Sequence, residues 1–177
     1  MREFLARGYA GTSMARIASA AEISRPALYQ YFRDKDDVFA SAFASVFEER
    51  AAAASAAVSS SATVGEALEG LLQRHDGDLW ELVASSEFFD EIVAAKSPSV
   101  IAAVSGVLDG FWEDVAAWLV TVHPGPSAAA QGRRADWLAV LRWGPQGMRL
   151  DRPSVAVYRR RLSALARTVV ADIDATG

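Results

Sequence analysis

The sequence contains no cysteine, which excludes a disulfide framework, a thiolate metal site and a cysteine nucleophile. A chain without cysteine fits a reducing cytoplasm, and the N-terminal stretch MREFLARGYAG has no apolar run typical of a signal peptide. No uncharged apolar run reaches the roughly 20 residues that span a bilayer. The most apolar stretch, Val115 to Val122, ends at a His-Pro-Gly-Pro sequence. We therefore expect a cytoplasmic protein with no membrane partner.

Histidine is almost as scarce, and the two that occur, His75 and His123, are far apart in the sequence. Neither has metal-ligand spacing, so we interpret both as structural or solvated residues. The sequence also lacks a glycine-rich phosphate loop, a nucleophile elbow and an HExxH motif. No pair of carboxylates is marked as a general acid and base. We expect no metal, no cofactor and no enzymatic activity.

Charge alone neither supports nor excludes a nucleic-acid partner. Apolar residues make up 51% of the chain, as in a globular protein, and the net charge is -4. The first 47 residues nevertheless carry six basic side chains against five acidic ones, so the excess of acid lies in the remainder. Binding to phosphates requires a local basic surface rather than a basic protein.

Helix signals run through the whole chain, and no stretch shows the alternating pattern of a strand. Thr63 and Glu66 form a capping-box sequence, and Ser97-Pro98 is a typical helix start. Two helices carry a continuous apolar stripe at spacings of three and four residues. The stripes are Val104, Leu108, Phe111, Val115, Trp118 and Val122, and then Val155, Tyr158, Leu162, Leu165 and Val169. The sequence predicts an all-α protein of about nine helices.

Residues 4–39 predict two short helices joined by the tight turn Glu22-Ile23-Ser24. Ile17, Ala18, Ala21, Ile23, Leu28 and Phe32 are spaced to pack between these helices. The outer face of the second helix of this pair, which is the third helix of the chain, then carries Arg25, Ala27, Gln30 and Tyr31. Arginine can donate two hydrogen bonds to guanine, and glutamine can pair with adenine in the same way. Thr12, Ser13, Tyr29 and Lys35 flank this face and are residue types that contact phosphates.

This segment resembles the DNA-binding signature of the TetR family of transcriptional regulators. The matching residues are Phe4, Gly8-Tyr9, Thr12-Ser13, Ile17-Ala18, Ser24, Leu28-Tyr29, Tyr31-Phe32, Lys35 and Phe39, about a quarter of the chain. The resemblance implies a homodimeric repressor that places its third helix in the major groove of a near-palindromic, double-stranded DNA operator. It implies base contacts from Arg25, Ala27 and Gln30. It implies phosphate contacts from Thr12, Ser13, Tyr29, Tyr31 and Lys35.

The resemblance also implies a division of the chain into two domains. Residues 1–47 form a three-helix DNA-binding domain with the helix-turn-helix, and residues 48–177 form a larger helical ligand-binding and dimerisation domain. The last two helices, near 128–147 and 153–173, are expected to pair with a second subunit. The family's first helix usually begins about ten residues earlier, so we expect a truncated first helix here.

The larger domain has no motif that names a ligand. All five tryptophans lie there, and with three phenylalanines they are candidates for lining an apolar cavity or for ordinary core packing. The candidates are Trp80, Phe88, Phe89, Phe111, Trp112, Trp118, Trp137 and Trp143. Such a cavity suits a small hydrophobic effector. The alternative is a DNA-bound interaction protein whose C-terminal domain binds a protein partner, with a filled core and an exposed apolar patch.

Overall fold

Every regular element is helical in the computed structural model, which describes residues 1–95 and 97–176. The helices are α1 (Arg2–Gly11), α2 (Met14–Ala20), α3 (Arg25–Tyr31), α4 (Lys35–Ser60), α5 (Val64–Leu72), α6 (Asp78–Ala84), α7 (Phe89–Ala94), α8 (Pro98–Val122), α9 (Ala128–Gly147) and α10 (Val155–Thr176). A π turn, Gln73–Gly77, joins α5 to α6 without a break, so the described chain forms nine continuous helical segments. The predicted all-α fold is confirmed.

The helix starts follow the local sequence signals. Thr63 Oγ1 accepts the backbone N–H of Glu66 at 3.1 Å, and Glu66 Oε2 accepts that of Thr63 at 3.3 Å, which completes the capping box. The side chain of Ser127 caps α9 by accepting the N–H of Ala130 at 3.1 Å. Among the described helices, none has the length and apolar content that a bilayer crossing requires.

Contacts divide the chain into two units. The N-terminal unit consists of Met1–Glu48 together with Leu82–Val107, and the C-terminal unit consists of Glu49–Glu81 together with the chain from Leu108 onward. The division falls within α4, within α6 and within α8. The boundary expected from the sequence, at residue 47, stays a prediction, since the N-terminal unit also contains α7 and the first part of α8.

Aromatic packing forms the core of the N-terminal unit. Phe39 is fully buried, and its ring lies 4.7 Å from that of Phe4 and 5.0 Å from that of Phe43, both in edge-to-face geometry. Ile92 of α7 and Val100 of α8 are buried in the same cluster. The core of this unit therefore needs residues from two distant parts of the sequence.

A buried face of α10 anchors the C-terminal unit, as its stripe predicts. This face packs mainly against α5 and the π turn. Its buried residues are Tyr158, Leu162, Leu165, Ala166, Val169 and Ile173. The Tyr158 hydroxyl donates to the carbonyl of Pro145 at 3.0 Å, and burial raises the pKa of Tyr158.

Arg159 ties α10 to the π turn and α6. Its Nη2 donates to Asp78 Oδ1 at 2.7 Å and to Glu81, and its Nη1 donates to Gln73 Oε1 at 3.0 Å. The hydrogen bond to Asp78, more than that to Glu81, raises the pKa of Arg159. A Cβ at Gly77 would lie 2.8 Å from Nη1 of Arg159, so this glycine permits the approach. Gly77 is the last residue of the π turn.

The turn between α2 and α3 is a Schellman motif with an unusual residue at its left-handed position. Glu22 has φ 56°, its N–H donates to the carbonyl of Ser19 at 3.2 Å, and the N–H of Ile23 donates to that of Ala18 at 3.0 Å. Glycine is usual here because a Cβ is strained in this conformation. Ala21 and Ile23, expected to pack between the helices, are exposed, because this turn directs them outward.

Replacing Glu22 by glycine is therefore expected to stabilise the N-terminal unit by about 0.5–1 kcal/mol. This net gain is the backbone strain that glycine relieves, reduced by the extra conformational entropy that glycine has in the unfolded chain. Urea unfolding followed by far-UV circular dichroism measures the change. Glu22→Gln removes the charge but keeps the Cβ, so it should give no such gain. Equal stabilisation by both variants would assign the effect to charge instead.

Candidate DNA-binding surface and cavity

The two helices of the predicted helix-turn-helix are positioned by serine caps and a small interior. Ser13 Oγ accepts the N–H of Arg16 at 3.4 Å at the start of α2, and Ser24 Oγ accepts that of Ala27 at 3.2 Å at the start of α3. Ala18 and Leu28 are buried. These caps and contacts fix which face of α3 points outward.

The outer face of α3 carries exposed polar and aromatic side chains. Arg25, Tyr29, Gln30 and Tyr31 are exposed, and Tyr31 retains 76% of its accessible surface. Arg25 Nη2 donates to the Tyr29 hydroxyl at 3.4 Å, and the guanidinium lies 5.5 Å from the centre of the Tyr29 ring. Ala27 lies half-buried on the same helix. Tyr29 therefore orients Arg25 in the absence of DNA.

Lys35 lies half-buried at the start of α4 and contacts the end of α1. Its Nζ donates to the carbonyl of Tyr9 at 2.7 Å and lies 4.2 Å from the centre of the Tyr9 ring. An ammonium group has three donors, so two remain for another acceptor. This contact fixes the position of the charge beside α3.

Asp36, the next residue, attaches the start of α4 to the start of α8. Its carboxylate accepts hydrogen bonds from Ser99 Oγ at 2.6 Å, Ser97 Oγ at 2.9 Å and the Tyr9 hydroxyl at 3.4 Å. The bonds from Ser99 and then Ser97 lower the pKa of Asp36. Burial, followed by the charge of Asp36, raises the pKa of Tyr9.

Thr12 does not lie on this surface, although the sequence suggested a phosphate contact. It is buried, and its hydroxyl donates to the carbonyls of Gly8 at 2.7 Å and Glu3 at 3.2 Å. This geometry closes the end of α1 and leaves no hydroxyl proton for a phosphate. Ser13, the adjacent candidate, is exposed.

Arg16 was not among the phosphate contacts predicted from the sequence, although its position makes it a candidate. Arg16 is exposed on α2, and its guanidinium has no hydrogen bond or ion pair with the described chain. Arg33, also exposed, is paired with Asp37 at 3.5 Å. The signal for Arg16 was its place three residues after the capping serine, which sets it in the first turn of α2.

The eight aromatic residues proposed for a cavity are divided between the two units. Phe88 and Phe89 belong to the N-terminal unit, where Phe88 packs against the core. Trp80 is buried, and its Nε1 donates to the carbonyl of Pro153 at 3.1 Å. Trp112 is buried, and its ring lies edge-on to that of Phe111 at 5.0 Å.

Two further tryptophans lie on α9, in different environments. Trp137 is buried and donates from Nε1 to Asp172 Oδ2 at 2.7 Å. Trp143 is 57% exposed, with the guanidinium of Arg142 5.0 Å from the centre of its ring.

Phe111 and Trp118 do line a cavity of about 270 Å³ within the C-terminal unit. The other lining residues come from α4, α5 and α8 and are Ser55, Val58, Ser59, Leu71, Asp114 and Val115. None of these other residues carries a ring, so aromatic content alone did not identify them. The sequence did place Phe111, Val115 and Trp118 on one stripe of α8.

His75 packs against Phe111, one of the residues that line the cavity. It is buried in the π turn, its Nδ1 lies 3.0 Å from Asp76 Oδ2, and its ring stacks on that of Phe111 at 4.5 Å. Across residues 1–95 and 97–176, no group of three or more potential metal ligands comes together. The structural interpretation of His75 agrees with this environment.

Comparisons with known proteins identify the N-terminal segment. Residues 1–42 match the family model described as bacterial regulatory proteins, tetR family. No curated protein sequence matches the chain. The crystal structure of the TetR family transcriptional regulator PfmR from Thermus thermophilus is similar, with 21% identity over 94% of this chain and 93% of that one, and a TM-score of 0.57.

A regulator described as a putative member of the same family, from Shewanella sp. PV-4, also aligns, with 21% identity over 93% of this chain and 90% of that one, and a TM-score of 0.49. The likeness of fold rests on PfmR, and the DNA-binding segment rests on the family model. Residues 1–42 therefore match the DNA-binding segment of the TetR family, and the all-helical fold is similar to that of PfmR.

Proposed function

We propose that this protein is a transcriptional regulator of the TetR family, a repressor that binds a near-palindromic operator as a homodimer and leaves it when a small hydrophobic effector binds. The observation that carries the proposal is the outer face of α3, where Arg25 and Gln30 are exposed and Tyr29 orients Arg25. A helix with two such side chains at its surface suits the major groove. Because its target is DNA, the protein would act in the cytoplasm.

The contacts divide into those that read bases and those that bind phosphates. Arg25, Ala27 and Gln30 would read base edges. Ser13, Tyr29, Tyr31 and Lys35 would bind phosphates, and the exposed Arg16 joins this group. Thr12 leaves it, because its hydroxyl already donates to two carbonyls. Phosphate contacts set affinity and register, whereas base contacts set specificity.

Dimerisation would use α9 and α10 of both subunits. Val140 and Trp143 lie three residues apart on α9, and 44% and 57% of their surfaces are exposed. Exposed apolar side chains on one helix face are typical of a surface that another chain covers. Two-fold symmetry would then place two copies of α3 at successive half-sites of the operator.

An effector would bind in the cavity of the C-terminal unit. Its floor contains Phe111, which stacks on His75 of the π turn, so a ligand that moves Phe111 also disturbs the π turn. The dimer would have one arrangement that binds the operator and another that does not. A ligand shifts the equilibrium between them only by the difference between its affinities for the two arrangements. No catalytic activity is part of this proposal.

The test begins with selection of preferred sequences from a random double-stranded DNA library, followed by titration at two salt concentrations with random DNA as competitor. We expect tight, competitor-resistant binding to a sequence with two-fold symmetry. Sedimentation of the complex should give two protein chains per operator. Binding no tighter than to random DNA would contradict the proposal.

Lys35 is expected to contribute affinity without specificity. Lys35→Ala should weaken binding to every DNA sequence alike and flatten the plot of log affinity against log salt by about one unit per subunit. Arg74→Ala is the matched control, since it removes one positive charge from an exposed position of the π turn, outside the proposed dimer helices α9 and α10. An unchanged salt slope for Lys35→Ala would remove Lys35 from the phosphate contacts.

A second candidate is a DNA-bound protein whose C-terminal unit binds another protein and senses no small molecule. Leu150, with 83% of its surface exposed, and Trp143 favour it, because large apolar side chains in water often mark a protein contact. Hydrogen exchange around residues 140–150, compared between monomer and dimer, separates the two candidates. Protection on dimerisation assigns this surface to the second subunit and leaves the effector proposal intact.

A further inference from the structure

The cavity of the C-terminal unit has an apolar floor and a polar rim. Leu71, Phe111 and Val115 are buried and form its floor, and Val58 and Trp118 are half-buried and form its walls. The exposed lining residues, at its rim, are Ser55, Ser59 and Asp114. A ligand that fits this arrangement has an apolar body and one polar end.

Among the described residues that line the cavity, Asp114 alone carries a formal charge. None of these described residues is a lysine, arginine or histidine, so their net charge is negative. A carboxylate in the ligand would meet this charge without a compensating donor, which disfavours anions. A cation would be attracted to Asp114 and to the faces of the nearby aromatic rings.

Asp114 also differs from most carboxylates of the C-terminal unit in having no partner in the described chain. Its carboxylate forms no hydrogen bond or ion pair with residues 1–95 or 97–176. Other acids of this unit are occupied: Asp78 by Arg159, Asp109 by Arg142, and Asp151 by Arg161. The carboxylate at the rim is therefore free to bind a charged ligand.

We propose that the cavity binds a small organic cation, with its apolar body on Leu71, Phe111 and Val115 and its ammonium group at Asp114. The inference rests on the proposed function only in taking this cavity as the effector site. At about 270 Å³ the cavity lies just below the usual range of ligand pockets, about 300–1,000 Å³. A molecule of the size of a phenylalkylamine suits it.

Three probes of nearly equal shape test the charge preference: 2-phenylethylammonium, 2-phenylethanol and phenylacetate. Binding is followed at low ionic strength, where screening is weak, by the indole N–H signals of the five tryptophans in a ¹H–¹⁵N spectrum. Trp118→Phe assigns the signal of Trp118. We expect the ammonium probe to shift this signal and to bind about tenfold more tightly than the alcohol. Phenylacetate should bind most weakly.

Asp114→Asn should reduce the ratio of the affinity for 2-phenylethylammonium to that for 2-phenylethanol to about one. The affinity for the alcohol itself should not change. Glu113→Gln is the matched control, because it removes the same charge from an exposed carboxylate of α8 that does not line the cavity. That variant should retain the preference. Equal loss in both variants would assign the preference to net charge and overturn the role of Asp114.

The remaining outcomes separate this inference from the proposed function. Equal affinity of the wild-type protein for the ammonium probe and the alcohol overturns the cation preference and leaves a neutral effector possible in the same cavity. No shift of the Trp118 signal with any probe, up to millimolar concentration, overturns the cavity as a binding site. DNA selection and titration, done without any probe, test the DNA-binding proposal separately.

Discussion

Replacing Gly8 by alanine is expected to lower the free energy of unfolding of the N-terminal unit by about 3 kcal/mol. Gly8 has φ 73° and ψ 173°, a conformation that is essentially restricted to glycine. A Cβ would also collide with the carboxylate of Glu91 and lie 2.8 Å from Cδ1 of Phe88. The carboxylate would have to leave the N–H of Ala10, which it accepts in the native fold. The substitution therefore combines backbone strain with a lost contact between α1 and α7.

Hydrogen exchange of peptides from α1 and α7, measured by mass spectrometry in the native state, follows this loss directly. All five tryptophans belong to the C-terminal unit, so their fluorescence serves as an internal reference for that unit. Gly11→Ala is the control within the same helix, since its Cβ would meet only Cβ of Arg7, at 3.6 Å. It should be neutral or stabilise by up to about 1 kcal/mol, as alanine favours helix. Similar losses for both substitutions would contradict the special role of Gly8.

Arg25→Ala is expected to remove discrimination at one base pair of each half-site, at a cost of about 1–3 kcal/mol per half-site for the preferred sequence. The guanidinium is already oriented by the Tyr29 ring and hydroxyl, so little conformational entropy is lost when it binds a base. Binding to DNA that lacks the preferred base should change much less. Titration against a set of operators, each altered at one position, measures the difference.

Arg33→Ala is the matched control for Arg25, because it removes an exposed arginine that follows α3 and is paired with Asp37. It should leave the order of preference among the altered operators unchanged. If Arg25→Ala instead weakens all operators equally, Arg25 contacts phosphate rather than a base. The reading of bases would then depend on Gln30 and Ala27.

Local signals explain what could be predicted from the sequence. Thr63 caps its helix where the sequence placed the cap, because a cap depends on residues within one turn. The stripe on α10 is buried as its spacing requires. The helix-turn-helix followed from the same kind of information, with a pattern long enough to be specific.

Long-range packing explains what could not be predicted. Phe88 joins Phe4 and Phe39 in the N-terminal core, although it is remote from both in the sequence. Asp114 lines the cavity because α4, α5 and α8 all contribute residues to it, and an aspartate in the sequence does not by itself predict such a position. Spacing along one helix identifies a buried face but not the partner that covers it.

The composite nature of the N-terminal unit bears on how the proposed DNA-binding segment of this protein can be transplanted. Leu5 accepts a hydrogen bond from Ser86, Ala10 donates to Glu91, and Asp36 accepts from Ser97 and Ser99, so α1 and α4 depend on residues 86–99. A chimaeric regulator that takes only residues 1–48 would leave these polar groups without partners and open the core around Phe4. Exchange of DNA specificity between regulators of this kind therefore calls for grafting the exposed face of α3 alone, or for moving both segments together.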